Sequence, residues 1–194
     1  MNKRMKLSEI ADIRQGYQFR EKITFSSIGH IKVIQMANII NCSNIDYINL
    51  PYSNNENIRN EHFLKNGDII FCARGNNNYN IMVNCINEKI IAVSQFVIIR
   101  PNSSFINNEY LSWFLKQKES ISYFNSNRLV STVPLINKNT LDELQIIVPP
   151  LEKQRTVVEI YKLLQKEFEI IDNIKMKKEK IINKILNLTI NDKE

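Results

Sequence analysis

A chain of 194 residues with 43% hydrophobic and 24% charged side chains can bury the core of one domain and carry an appendage. Its formal charge of +6 suits a polyanionic partner but is modest, so charge alone favours nucleic-acid binding only weakly. Three cysteines without a C-x-x-C pair, and only two histidines, argue against a zinc cluster or a disulfide framework. Free thiols, with no signal peptide and no apolar run of membrane length, lead us to expect a cytoplasmic protein.

The N-terminal part of the chain alternates short helical and extended patterns. Lys6 to Ala11 predicts a short helix, and Arg14 to Phe19 predicts an irregular segment that turns at Gly16. The next patterns are a strand at Ile31 to Met36, a weaker strand at Ile45 to Ile48, and a short helix or loop at Ser53 to Phe63.

The middle of the chain has the pattern of a sheet. Asn66-Gly67-Asp68 is a turn signal, because glycine accepts a positive φ without steric cost, and a buried strand follows at Ile69 to Phe71. Helical spacing returns at Asn108 to Lys118. Further strand-like runs lie at Ile81 to Ile86, Ile90 to Val93 and Phe96 to Ile99.

The periodicity changes at Pro149-Pro150. Leu144 to Val148 alternates as a mostly buried strand does, and the two prolines end any strand ladder. From Glu152 to Thr189 no glycine or proline interrupts the chain, and an α-helix over that range would be roughly 57 Å long. We therefore expect a domain at 1–150, a helix at 151–190 and a disordered tail at 191–194.

One face of the predicted helix is apolar. Its apolar side chains recur every three or four positions, so they share a face at 3.6 residues per turn. The predicted contact residues are Val157, Tyr161, Leu164, Phe168, Ile171, Ile174, Ile181, Ile185 and Leu188. Because the chain has no second long helix to cover this face, we expect a second copy to cover it in a homodimer.

No pattern for catalysis or cofactor binding is visible. The four glycines are never within two or three residues of one another, so neither a methyltransferase cofactor turn nor a phosphate-binding loop is predicted. The chain has no Glu-x-Lys or Gln-x-Lys triplet of the kind that metal-dependent restriction nucleases use. We expect no catalytic residue, no metal ligand and no cofactor of its own.

Side chains suited to base edges concentrate in polar segments at Arg14 to Phe19, Arg74 to Asn80 and Asn125 to Thr132. Arginine can present a planar fork to guanine, and glutamine or asparagine can bond adenine through a paired donor and acceptor. The plainer interpretation is that these asparagines cap turns with their own amides. We predict DNA contacts from Gln15, Tyr17, Gln18, Arg20, Arg74, Asn76, Asn77, Asn78, Tyr79, Asn80, Arg128, Ser131 and Thr132.

Three segments in order carry a resemblance to a known family. NGDIIFCARG lies upstream, STVPLINKNTLDELQ follows, and a strand ending in IIVPPLEKQR runs straight into the long helix. The chain thereby resembles the specificity subunit of a type I restriction-modification system. The typical member carries two such units in tandem, so the resemblance implies a half subunit that pairs its helix antiparallel with that of a second copy.

The resemblance implies an α/β fold, with a mixed-sheet target-recognition domain followed by a long C-terminal coiled-coil-forming helix. It also implies a non-catalytic subunit that binds a bipartite site on double-stranded DNA and recruits a methyltransferase (M) subunit and, where present, a restriction (R) subunit. S-adenosylmethionine, Mg²⁺ and ATP would belong to those partners. The long helix and its entry at Leu151 and Gln154 are our expected docking surface for the methyltransferase. The alternatives are a recognition module of another DNA-modifying assembly, a scaffold without a DNA role, and an enzyme with an unfamiliar site.

Overall fold

The structure is a computed structural model that describes residues 3–19, 29–53, 58–75, 78–84, 88–128 and 134–191. The chain divides into two compact units, Met1–Gln154 and Arg155–Glu194. The strands are β1 (Lys3–Lys6), β2 (Ala11–Gln15), β3 (Ile31–Ile34), β4 (Ile39–Ile40), β5 (Asn44–Ile45), β6 (Tyr52–Ser53), β7 (Ile69–Cys72), β8 (Asn80–Met82), β9 (Ile90–Ala92), β10 (Phe96–Pro101) and β11 (Gln145–Val148). The helices are α1 (Leu7–Ile10), α2 (Asn108–Phe114), α3 (Lys118–Ser126), α4 (Lys138–Asp142) and α5 (Leu151–Asn191).

The most apolar strands form the central sheet. β10 pairs antiparallel with both β2 and β7, and β7 pairs antiparallel with β8, so the strand order is β2-β10-β7-β8. Every residue of β7 is buried, as are the first four of β10. These two strands therefore have continuous apolar runs rather than a strict alternation of apolar and polar residues.

A second sheet contains both strand directions. β3 pairs parallel with β9 and antiparallel with β6, and β4 and β5 form a separate short hairpin. Val33 of β3 and Ile91 of β9 are fully buried in a core that also includes Ile70 of β7 and Ile81 of β8. The predicted α/β class, with a mixed-sheet domain followed by a long C-terminal helix, is confirmed.

Asparagine caps and one tyrosine fix the helices of the first unit. The side chain of Asn107 accepts a hydrogen bond from the Tyr110 amide at the start of α2, and Asn137 does the same for Thr140 at the start of α4. The Tyr110 hydroxyl donates to the carbonyl oxygen of Ile147, 2.9 Å away, and so ties α2 to β11.

Gln154 fastens the first turn of α5 within the first unit. Its amide nitrogen donates to the carbonyl oxygens of Pro149 at 2.7 Å and Phe105 at 3.2 Å, and its amide oxygen accepts from the backbone N–H of Asn107 at 2.7 Å. The prediction that Gln154 docks another subunit is wrong, because the side chain is fully buried and both ends of its amide are occupied. Leu151 is 36% exposed.

Helix α5 contains 41 residues and is about 61 Å long. Its apolar side chains are largely exposed; Leu163 is 71% exposed and Ile181 is 60% exposed. Ile160, Leu163, Ile170 and Ile182 are exposed apolar residues that the predicted contact set omitted. Of the helices in the described ranges, none is both long enough and apolar enough to cross a membrane.

The sequence analysis did not predict β1, α3 or α4, and other differences lie at polar ends of elements. Arg14 and Gln15 belong to β2 rather than to an irregular segment, because the ladder with β10 continues through them. Met36 begins a 3-10 turn instead of ending a strand, and Asn80 opens β8 instead of closing a loop. The predicted turn at Gly67 is confirmed, with φ of 87°.

Candidate nucleic-acid interface

The segments that are predicted from the sequence to contact DNA leave the central sheet at one end. Across the sheet, Gln15 of β2 faces Val97, Val97 faces Phe71, and Phe71 faces Asn80. β2 therefore ends and β8 begins in this row, and β7 ends one residue beyond it, at Cys72. The segment after Gln15 and the loop between β7 and β8 emerge together at this row.

The loop after β7 also meets the segment before α4. The Gly75 amide donates to the carbonyl oxygen of Pro134 at 2.9 Å, and the Ile136 amide donates to that of Ala73 at 2.9 Å. Arg74 and Leu135 form an antiparallel bridge between these two bonds. The two segments lie far apart in the sequence, but backbone hydrogen bonds hold them side by side.

Asn78 and Arg128 join the two polar loops through their side chains. Nη2 of Arg128 donates to Oδ1 of Asn78 at 2.7 Å, and Nδ2 of Asn78 donates to the carbonyl oxygen of Cys72 at 2.9 Å. Within the described residues, Nε of Arg128 is buried and has no hydrogen-bond partner. Both ends of the Asn78 amide are occupied, so Asn78 holds Arg128 in position and does not offer a free edge to adenine.

Arg74 differs from Arg128 in its exposure. Its side chain is exposed, and its guanidinium has no hydrogen bond or ion pair to any part of the chain that the structure describes. Among the described residues nothing occupies the five N–H donors of this fork, so they can bond an outside acceptor.

Asn80 lies in the core beneath the loop. It is 1% exposed, and its Oδ1 accepts a hydrogen bond from the buried hydroxyl of Ser112 on α2 at 2.7 Å. A side chain in this position cannot reach a base. The prediction that Asn80 contacts DNA is therefore corrected to a structural role.

Tyr79 is a half-buried neighbour of two sulfur atoms. Its hydroxyl lies 4.0 Å from Sδ of Met36, and the thiol of Cys72 lies 3.9 Å from the same atom. Burial raises the pKa of Tyr79 well above its usual range, and the hydrogen bond with Cys72 adds to this effect. Tyr79 is therefore a neutral hydroxyl at physiological pH. Met36, which is 39% exposed beside it, belongs to no motif in the sequence.

The segment after β2 is held close to β9. The Tyr17 amide donates to the carbonyl oxygen of Ala92 at 2.7 Å. The Tyr17 ring packs edge-on against the His62 ring, with centroids 5.1 Å apart. A Cβ on Gly16 would clash with the backbone oxygen of Val93, so this approach requires glycine. Gln18 is exposed.

Gln15 is partly committed to the fold. It is exposed, but its amide nitrogen donates to the carbonyl oxygen of Ser94 and, at 3.2 Å, to that of Phe96. Only its amide oxygen is left to accept from a partner. The other predicted contacts lie outside the described residues: Arg20, Asn76, Asn77, Ser131 and Thr132.

A buried charge cluster lies at the opposite end of the sheet. Asp68 is 1% exposed and receives two hydrogen bonds from Arg100, at 2.7 and 2.6 Å, while Arg14 lies 3.7 Å away. Burial lowers the pKa of Arg14, and the charge of Arg100 lowers it further. The cluster fixes the turn before β7. Nowhere in the described ranges do three His, Cys, Asp or Glu side chains form a group that could hold a metal ion.

A mixed-sheet domain with converging polar loops, continuing into a long helix, has the architecture of a DNA target-recognition domain with its spacer helix. Residues 2–184 match the family model of the type I restriction modification DNA specificity domain. The chain belongs to this family.

Named relatives agree with this assignment. The chain is 25% identical over 122 residues to the specificity subunit of the type I restriction enzyme HindI of Haemophilus influenzae, covering 61% of this chain and 26% of that subunit. It resembles the solved HsdS subunit from Thermoanaerobacter tengcongensis with a TM-score of 0.66 and 16% identity, over 95% of this chain and 47% of that one.

A further similar structure comes from work on complex assembly and conformational transition of the type I R-M system. Its TM-score is 0.71 at 18% identity, over 95% of this chain and 43% of the solved chain. The chain thus spans about a quarter of the curated relative and less than half of each of these two solved chains.

Proposed function

We propose that this chain is a sequence-specific DNA-binding subunit of a type I restriction-modification enzyme. The observation that carries the proposal is the convergence of the loops after β7 and α3, which brings Arg74 and Arg128 to one region of the domain. The net charge of +6 is of the right sign for this partner. The printed name of the HindI relative, a specificity subunit, supports the same role.

Arg74 is the primary reader in this proposal. A free guanidinium fork can donate two parallel hydrogen bonds to O6 and N7 of guanine in the major groove. Arg128 has one donor occupied by Asn78 and its Nε buried, so it contributes its other Nη donors. Gln18, which is exposed beside Tyr17, is the candidate for an adenine edge.

The subunit acts as a homodimer through α5 and is not itself an enzyme. Two copies related by a two-fold axis read two half-sites, so the target is bipartite. The dimer recruits a methyltransferase subunit and, where present, a restriction subunit, and these partners bind S-adenosylmethionine, Mg²⁺ and ATP. We expect the assembly to work in the cytoplasm, where its DNA substrate lies.

Selection from random DNA duplexes tests the reading role. The wild-type chain should select an interrupted palindrome. Arg74→Ala should relax the preference at one base pair of each half-site and weaken specific binding by about 1–3 kcal/mol, because a bidentate contact to guanine is lost. Arg4→Ala removes a mostly exposed arginine from β1 and is the matched control, which should leave the selected sequence unchanged.

Three outcomes would contradict parts of this assignment. Absence of any sequence preference at several salt concentrations would favour a scaffold without a DNA role. An Arg74→Ala variant that weakens all sequences equally would assign Arg74 to a phosphate. Methyl transfer or cleavage by the purified chain alone, with S-adenosylmethionine or Mg²⁺, would contradict the non-catalytic role. We expect methylation only after a methyltransferase subunit is added.

A further inference from the structure

The long helix carries two charged residues within its apolar seam. In a coiled coil, two helices pack along the first and fourth positions of each seven-residue repeat. From Val157 to Leu188, eight of these positions are apolar, and the two exceptions carry opposite charges. Counted from Val157, the seam consists of Val157, Ile160, Leu164, Glu167, Ile171, Ile174, Lys178, Ile181, Ile185 and Leu188.

Nine of the ten seam residues are exposed in the single chain, and Val157 is half-buried. Ile160 is 62% exposed, Ile174 is 59% exposed and Ile185 is 56% exposed. Neither Glu167 nor Lys178 has an ion-pair partner among the residues that the structure describes. A second helix can therefore cover the apolar stripe and meet both charges.

The sequence of the seam is self-complementary in one orientation. When a second copy runs antiparallel with Ile171 opposite the partner's Ile174, apolar layers form on both sides of this centre. In the same register Glu167 lies opposite the partner's Lys178, and two-fold symmetry repeats the pair. The outer layers are Leu164 with the partner's Ile181, Ile160 with the partner's Ile185, and Val157 with the partner's Leu188.

Other arrangements oppose groups that do not match. A parallel dimer in register sets Glu167 against the partner's Glu167, and Lys178 against the partner's Lys178, so two like-charge pairs face each other. An antiparallel shift by one repeat sets each charge against an isoleucine, where it lacks a partner in an apolar layer. We propose that Glu167 and Lys178 select the antiparallel homodimer in this one register, an inference that rests on the homodimer of the proposed function.

Flanking positions agree with this register. Leu163 and Ile170 are exposed apolar residues at the seventh position of their repeats, beside the seam. In the antiparallel pair they lie next to the partner's Lys184 and the partner's Lys177. The aliphatic stems of these lysines can cover apolar surface while their ammonium groups reach water. The second copy thus covers more of α5 than the seam itself.

The Glu167–Lys178 charge pair should also determine which helices can associate. Charged residues inside a seam lower stability but specify register and partner, because a mismatched helix leaves them unpaired. A spacer helix from another specificity subunit without this spacing of acid and base would pair less well. The chain should therefore select its own copies.

Charge exchange tests the proposal in the full chain, with dimer dissociation measured by analytical ultracentrifugation. Glu167→Lys and Lys178→Glu should each raise the dimer Kd by roughly tenfold or more, because two attractive pairs become two repulsive ones. The double variant Glu167→Lys with Lys178→Glu restores both pairs in reverse and should return the Kd to near the wild-type value. Glu169→Lys and Lys180→Glu, outside the seam, are matched controls and should change it little.

A spin label at Asn183 reports orientation independently. Introduced as a non-canonical amino acid, it leaves the native cysteines unchanged. In the proposed register the two labels should be roughly 32 Å apart along the helix pair, since the partner's Lys162 lies opposite Asn183. In a parallel dimer the labels would be side by side.

The results of these experiments distinguish a failure of the proposed charge pairing from a failure of dimerisation itself. A monomer at micromolar concentration contradicts both. A dimer whose Kd is unaffected by either single exchange, or is not restored by the double exchange, contradicts only the charge pairing. Closely spaced labels contradict the antiparallel register. Circular dichroism of each variant checks that the helix content is unchanged.

Discussion

Arg128 is a half-buried cation whose position depends on one neutral side chain. Asn78 accepts its hydrogen bond at 2.7 Å and is itself held by the carbonyl oxygen of Cys72. A guanidinium reads a base only when its plane is fixed, because bidentate contacts tolerate little misalignment. The structure therefore makes Asn78 a positioning residue for Arg128.

Removing Asn78 should have the same effect on recognition as removing Arg128. We expect Asn78→Ala to weaken specific binding by about 1.5–3 kcal/mol, because a hydrogen bond to a charged group is lost and the arginine becomes mobile. Asn78→Ala and Arg128→Ala should relax the same position in selected duplexes, and the double variant should be no worse than the poorer single variant. If the two variants relaxed different positions of the selected sequence, the residues would act independently. Full additivity of their losses in binding free energy would show the same.

Asn78 and Asn80 are two positions apart but have different roles, for reasons that the local sequence does not contain. Asn80 bonds Ser112, 32 positions away, and Asn78 bonds Arg128, 50 positions away. Residue type predicts that an amide can bond adenine, but burial and distant partners decide whether it is free to do so. The prediction that Arg74 contacts DNA rests on the glycine and the buried strand that flank it.

At the scale of elements, Gln154 links the end of the β-sheet domain to the start of the long helix. Its amide joins Pro149, Phe105 and the N-cap backbone of α2 through three hydrogen bonds. Replacing it should leave the Asn107 N–H buried without an acceptor. The IIVPPLEKQR segment thus fixes the first turn of α5 through Gln154.

Gln154→Ala should lower the free energy of unfolding by about 1–3 kcal/mol, the usual cost of a buried donor left unsatisfied. Denaturant unfolding followed by circular dichroism measures this change. Gln165→Ala, which removes an exposed glutamine from the same helix, is the control and should alter stability by less than about 0.5 kcal/mol. Equal effects of the two substitutions would contradict the anchoring role.

Elements with strong local periodicity were predictable, and those that depend on tertiary pairing were not. α5 could be predicted from Glu152 to Thr189 because three- and four-residue spacing is a property of the helix alone. The polar end of β2 was missed because Arg14 and Gln15 belong to the strand only through their ladder with β10. The β4–β5 hairpin turns through Asn41 and Cys42, two non-glycine residues with positive φ, which composition does not indicate.

At the scale of the whole molecule, the exposed stripe of α5 should determine oligomeric state. Ile171→Lys combined with Ile185→Lys inserts four like charges into the dimer seam and should give a monomer at micromolar concentration by light scattering. Met176→Lys with Ile190→Lys makes the same chemical change at exposed residues outside the seam and should remain dimeric. An unchanged dimer in the first variant would remove α5 from the interface.

In the proposed homodimer, two-fold symmetry also constrains the DNA target. Two identical reading domains related by a two-fold axis must meet two half-sites related by the same axis, so the site should be an interrupted palindrome. By the geometry of dimeric DNA readers, half-site centres should lie on one face of the duplex about one turn apart, at roughly 10 base pairs.

Spacer length should therefore matter more than spacer sequence. Inserting one base pair rotates one half-site by roughly 34° about the duplex axis and shifts it by about 3.4 Å, which a rigid helix pair cannot follow without losing contacts. Replacing every spacer base at constant length should leave binding nearly unchanged, because the proposed dimer reads only the half-sites. Binding assays on both duplex series measure the two effects. A continuous or asymmetric selected sequence, or equal binding at all spacer lengths, would contradict the symmetric dimer.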